Sequence, residues 1–167
     1  LLHASVVMCP TRGGKVAQFD GAAAQKMPGV KQVLAVAPYH GGTGGVAVIA
    51  DTPWHAKKAA AAVTVQWDHG PAATLSSAAV MTQLTQALDQ AQGFGYHSVG
   101  DVDKALQGAA TTLTADYRAP YLAHATMEPI NCTVQFKAGA ASVRTSTQVP
   151  GLARMAAISA SLKRSRR

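Results

Sequence analysis

Residues 31–67 read KQVLAVAPYHGGTGGVAVIADTPWHAKKAAAAVTVQW, and two kinds of local pattern alternate within them. Residues 31–37 and 46–50 are short apolar, β-branched runs bounded by Pro and Gly, which predicts strands. At Asp51-Thr52 the pattern changes. Either residue serves as an N-cap, Pro53 takes the first helical position, and alanines carry a helix over residues 53–62. Residues 63–67 alternate again and predict a further strand, which Asp68-His69-Gly70-Pro71 ends. Strands in one layer and short Ala-rich helices in the other make an α+β unit. The runs 31–37, 46–50 and 63–67 are expected to share one sheet.

The Gly-rich segment HGGTGG, residues 40–45, invites comparison with a phosphate loop. It lacks the Gly-Lys-Ser/Thr ending and the GxGxxG register. It also joins two strands, whereas a phosphate loop opens a helix whose N-terminus faces the anion. The segment is expected to be a flexible hairpin connection.

Outward toward the N-terminus, residues 2–8 read as a strand closed by Pro10, and Arg12-Gly13-Gly14-Lys15 as a turn. Asp20 is placed to cap a short helix over residues 21–27, stopped by Pro28-Gly29. Toward the C-terminus, Ser76 or Ser77 can cap an amphipathic stretch over 78–91, and Asp101 a helix over 102–107 that Gly108 ends. TTLTADYRAP, from Thr111, is strand-like. Residues 131–136 and 140–146 predict two more strands, and a helix is expected from Val149 with Pro150 near its first turn. The organisation expected is a first domain over 1–70, a helical connector over 71–110 and a further unit over 111–167.

Composition narrows the function classes. The 167 residues are 48% hydrophobic and 14% charged, which excludes a disordered polyelectrolyte. Thirty-four are Ala, so the apolar side chains are small. Fifteen Lys and Arg against eight Asp and Glu give a net charge of +7; without Lys163, Arg164, Arg166 and Arg167 the excess falls to +3. A basic tail without a basic stripe and stacking aromatics does not predict nucleic-acid binding. No run is long and apolar enough to predict a membrane-spanning helix. Cys9 and Cys132 have no metal-site spacing and are expected to be buried free thiols.

Candidate chemistry is sparse. His124 and Glu128 are four apart, but Pro120 and Pro129 bracket them. Glu128, the chain's single glutamate, is expected to act as a structural acceptor. His3, His40, His55, His69 and His97 are scattered and form no HxH or HExxH. No GxSxG and no Cys–His arrangement is evident, so no nucleophile is predicted. Ser146-Thr147-Gln148 lies between a strand and a Pro-Gly helix entry, and the Gln148 side chain offers both a donor and an acceptor.

LLHASVV, GGKVAQFD, PGVKQVLAV, GGVAVIADTPWHAKKAAAAVTVQWDHG, YLAHATMEPINCTVQ and TSTQVPG follow one another in this order. Together they resemble the molybdopterin-binding large subunit of the xanthine dehydrogenase and aldehyde oxidase family. The YLAHATMEPINCT run looks most like isoquinoline 1-oxidoreductase beta subunits. The resemblance extends to about Ala160, and HATMEPxNC with STQxPG is its specific part. It implies an α/β-hammerhead domain over 1–70 and the start of a molybdopterin-binding domain over 111–167. It implies hydroxylation of an aldehyde or an N-heteroaromatic carbon with water-derived oxygen. It also implies a molybdenum–molybdopterin cofactor and electron transfer to an iron–sulfur small subunit. By match, Gln148 is the residue beside the cofactor. Relatives often carry an export signal, which implies a periplasmic or membrane-associated home.

The family continues into a GGGFG loop and a distal catalytic glutamate. This sequence instead reads SASLKRSRR at its end and opens directly on a strand. A piece of a larger subunit is therefore expected, inactive alone and without bound cofactor. The alternative is a non-catalytic module that docks a partner through the hammerhead.

Overall fold

The computed structural model describes residues 1–39, 41–90, 93–122 and 125–164. They fall into two units, Leu1–Thr74 with Ala125–Arg167, and Leu75–His124. His40 and His124 lie outside the described residues.

In the first unit β1 (His3–Met8), β2 (Lys15–Asp20), α1 (Ala22–Gln25), β3 (Val30–Val36), β4 (Gly45–Ala50), α2 (Pro53–Ala60) and β5 (Thr64–Asp68) follow in order. β4 is central: β1 and β3 both pair with it antiparallel, in the order β1-β4-β3. Its run GVAVIA is the most buried strand, with Val46 and Val48 fully enclosed. α2 covers this sheet. Ala56, Ala59 and Ala60, one face at helical spacing, are buried, and Ala24 of α1 joins them. Val7, Met27, Val30 and Val33 close the edges of this core. Alanines suit the position because they let a helix approach the strands closely.

The expectation of one sheet for residues 31–37, 46–50 and 63–67 needs correction. The first two runs do pair, as β3 and β4, but β5 pairs antiparallel with β2 in a separate two-stranded sheet. Alternation marks which face of a strand is apolar and leaves its pairing partner open. β4 has β1 on one side and β3 on the other, and β5 takes the edge of β2, where Lys15 faces Asp68 across the pair, with Nζ 3.4 Å from the carboxylate.

The caps resolve residue by residue. Thr52 caps α2, its hydroxyl accepting from the His55 N–H at 3.1 Å. Asp20 accepts from the Ala22 N–H at 2.9 Å, but the helix it introduces is only Ala22–Gln25, with Gly21 in the cap position. Gly29 ends this segment at φ +78°, and Asp51 N–H donates to its carbonyl.

In the second unit α3 (Ser77–Gln90) is capped by Ser76, whose Oγ accepts from Ala79 N–H. α4 (Val102–Gln107) is capped by Asp101 and ends at Gly108. Neither helix buries a residue. The strand expected at TTLTADYRAP does not form; residues 111–120 carry no regular structure. A β-rich run without a partner edge has nothing to satisfy its backbone groups except water.

The chain then returns to the first unit as β6 (Cys132–Lys137), β7 (Ala140–Thr145) and α5 (Pro150–Arg164). No helix among the described residues is long and apolar enough to cross a membrane.

Candidate functional site

β6 and β7 pair antiparallel, with Lys137 opposite Ala140 across the two-residue turn Ala138-Gly139. Both turn residues have positive φ, +48° and +79°, as a turn matched to strand twist requires. At the open end the Thr145 hydroxyl donates to the Asn131 carbonyl at 3.2 Å. Two residues on, Thr147 Oγ1 accepts from the Val149 N–H at 3.0 Å. That bond bends the chain, and Pro150 starts α5 immediately after. Farther along, Ser159 Oγ of α5 lies 2.6 Å from Tyr39 Oη.

Gln148 sits on this bend. It is exposed, and among the described residues its carboxamide has no hydrogen-bond partner. The local bonds that shape its backbone are made by its neighbours Thr145, Thr147 and Val149. The hairpin and α5 also enclose a groove of about 950 Å³. Thr147 lines that groove, whereas Gln148 does not.

The other candidates fall elsewhere. Glu128 is exposed. Its backbone carbonyl accepts from Thr126 at 2.8 Å, but its carboxylate takes no hydrogen bond among the described residues. The expected role as a structural acceptor is therefore corrected: the segment is open, so no buried N–H faces it. Cys9 and Cys132 are both free thiols, but only Cys9 is buried. Cys132 lies on a hairpin exposed on both faces, which corrects the expectation of burial for both.

The fold also builds pairs that spacing does not reveal. His69, sixty residues from Cys9, places Nδ1 4.0 Å from its Sγ. Thr11 Oγ1 is nearer to the same nitrogen, at 2.5 Å. The thiol is 6% exposed and packs where a Cβ at Gly14 would overlap it. A Cys–His contact thus exists where none is evident in the sequence, but it is closed to substrate and its imidazole nitrogen is engaged by Thr11.

Asp51 and His55 form a second pair, Oδ1 to Nδ1 at 2.6 Å across one helical turn. The His55 hydrogen bond holds the Asp51 carboxyl below the usual carboxylate range. Asp68 is lowered too, chiefly by the Gly70 N–H and then by Lys15. Both acids are solvent-accessible and stay ionised at neutral pH, so neither is a proton donor there. No group of three His, Cys, Asp or Glu among the described residues could hold a metal ion.

Residues 89–163 match the family model of the molybdopterin cofactor-binding domain. The match begins at Asp89 in α3 and takes in the β6–β7 hairpin, Gln148 and nearly all of α5. No curated protein matches the chain. Among solved structures, the crystal structure of quinoline 2-oxidoreductase from Pseudomonas putida 86 is similar at 20% identity and a TM-score of 0.34. The similarity covers 42% of this chain and 13% of that one, so this chain spans a small part of that protein's length. The family match alone shows that residues 89–163 carry the sequence pattern of a molybdopterin cofactor-binding domain.

Proposed function

We propose that the chain is part of the large subunit of a molybdenum hydroxylase, similar to isoquinoline 1-oxidoreductase beta subunits. In this reading residues 1–70 are an α/β-hammerhead domain, 71–110 a connector and 111–167 the beginning of the molybdopterin-binding domain. The observation that carries the reading is the match of residues 89–163 to the molybdopterin cofactor-binding domain. The whole enzyme would oxidise an aldehyde or N-heteroaromatic substrate with water-derived oxygen and hand electrons to an iron–sulfur subunit.

The cofactor can be tested for fit on the residues present. Gln148 offers one exposed, unpartnered carboxamide, which suits one edge of a pterin or an oxo ligand. A pterin cofactor also needs enclosure and several further polar contacts. The segment does not enclose Gln148: the carboxamide lies outside the groove, and residues 125–160 contain no buried side chain. The residues present do not by themselves fit the cofactor, and no catalytic step is derived through it. What the chain contributes is a locally fixed bend that presents one carboxamide.

The test compares two proteins. The 167-residue chain is analysed for molybdenum by mass spectrometry and for pterin by fluorescence after oxidation. The same is done for a chimaera in which the remaining cofactor-binding domains of a molybdenum hydroxylase large subunit follow residue 160. The expected result is well below one molybdenum per chain in the first and close to one in the second. A chimaera that folds and carries neither metal nor pterin would overturn the reading.

A further inference from the structure

The groove between the β6–β7 hairpin and α5 has a chemistry that the molybdopterin reading does not use. Its volume of about 950 Å³ falls in the size range of sites that hold small organic molecules. Phe136, Val143 and Ile158 give it apolar walls. Among the described residues its charged lining is Lys137, at the end of β6, and Arg154, in α5, with no carboxylate.

Among the described residues no carboxylate pairs with either cation. The ion pairs among the described residues are Lys15–Asp68 and His55–Asp51, both away from the groove. Thr147 adds a hydroxyl whose oxygen already accepts from Val149, which leaves its O–H free to donate. Apolar walls with two cations and a hydroxyl donor complement an apolar body that carries one anionic group. The guanidinium adds a planar fork that matches a carboxylate with two parallel hydrogen bonds.

We propose that the groove formed by Phe136, Lys137, Val143, Arg154 and Ile158 binds a small amphipathic organic anion, an apolar carboxylate. The apolar body lies against Phe136, Val143 and Ile158, and the carboxylate faces Arg154 and Lys137. Binding involves no metal and no change of covalent bonds. The molybdenum reading can therefore fail while this site stands, and the reverse.

The probe is 2-naphthoate, with the uncharged 2-naphthamide as its shape-matched control. Each is titrated into the unaltered 167-residue chain by calorimetry, with amide NMR shifts followed in parallel. One saturable site is expected for naphthoate, with shifts confined to residues 136–158 and affinity falling as salt rises. Naphthamide should bind about tenfold more weakly, the scale of one charge-assisted contact. Arg154→Gln should weaken naphthoate to a similar degree and Lys137→Gln several-fold. Arg144→Gln, on β7 but outside the groove, should change nothing. Equal binding of the two probes to the unaltered chain overturns the proposal without any variant. So does equal weakening by Arg144→Gln and Arg154→Gln, or no saturable binding of naphthoate at millimolar concentration.

Discussion

Val48→Ala tests the core on which the first unit depends. Val48 is fully buried in the central strand, and with Val46 it is the largest fully enclosed side chain among the described residues. Around it the fully enclosed neighbours are alanines, Ala24 and Ala59, which have no side-chain length with which to fill a gap. Removing two carbons costs about 0.8 kcal/mol each in transfer free energy. The void left adds roughly 24 cal/mol per Å³, or about 1 kcal/mol for some 40–50 Å³ without relaxation. The expected loss is thus about 2–3 kcal/mol, a large share of the ~5–15 kcal/mol of a typical domain. The assay is urea unfolding of the full chain, followed by the fluorescence of its two tryptophans, Trp54 in α2 and Trp67 in β5. Val6→Ala is the control, because Val6 lies on the same sheet but is 46% exposed. It should cost no more than about 1 kcal/mol, the smaller area buried at that site. If the two variants unfold at the same urea concentration, the core is not where the structure places it.

Gly29→Ala should destabilise by at least 1–2 kcal/mol, since L-residues resist the left-handed region, and its Cβ would overlap the Asp51–His55 pair; a thermal melt unchanged from the parent would refute this. Thr52→Ala should cost about 1 kcal/mol through loss of the α2 cap, read by the same melt, with Thr52→Ser largely restoring it. Asp51 has its folded carboxyl lowered below 3.8, so its contribution is full above that value and is lost as pH falls through the lower folded value. Asp51→Asn should therefore flatten the acid limb of the stability profile and leave its slope at neutral pH alone; an unchanged acid limb in urea titrations from pH 2 to 5 would count against the pair. Gln148→Ala should leave stability within about 0.5 kcal/mol, as for an exposed residue, and a larger loss would make Gln148 structural.

Elements were legible in the sequence wherever the cue was local. Thr52-Pro53 opens α2, Asp101 and Gly108 bound α4, and the β6–β7 strands emerge within a residue or two of their expected limits. Pairing was not legible, because periodicity says which face of a strand is apolar and not which neighbour completes its hydrogen bonds. That is why β5 was expected in one sheet with β3 and β4 and is found beside β2. The same limit hid the Cys9–His69 contact, which follows from where β1 ends and where the chain leaves β5. TTLTADYRAP failed for a related reason: β propensity reports fitness for a pleated surface, and residues 111–120 have no such surface against them.

The two halves of the chain differ in how their apolar residues are used. Among the described residues every buried hydrophobic residue lies between Cys9 and Ala60. Beyond Leu75 large side chains such as Phe94, Leu113, Tyr117 and Met127 are over nine-tenths exposed. A two-stranded hairpin is marginal by itself, and needs a third strand or a helix to cover it. α5 partly does so for β6–β7, and the groove measures how incompletely. Yet the bend at Gln148 does not depend on a domain core. Thr145 closes the hairpin, Thr147 holds Val149, and Pro150 fixes the first helical φ. Thr147 and Pro150 act within two residues of Gln148, and Thr145 ties the bend to Asn131 across the hairpin. The backbone that presents the carboxamide is thus set by the hairpin and its turn, while any pocket around it would need apolar surface that residues 125–160 leave uncovered. A local turn and an enclosing cavity are separate physical problems, and around Gln148 the described residues solve only the turn.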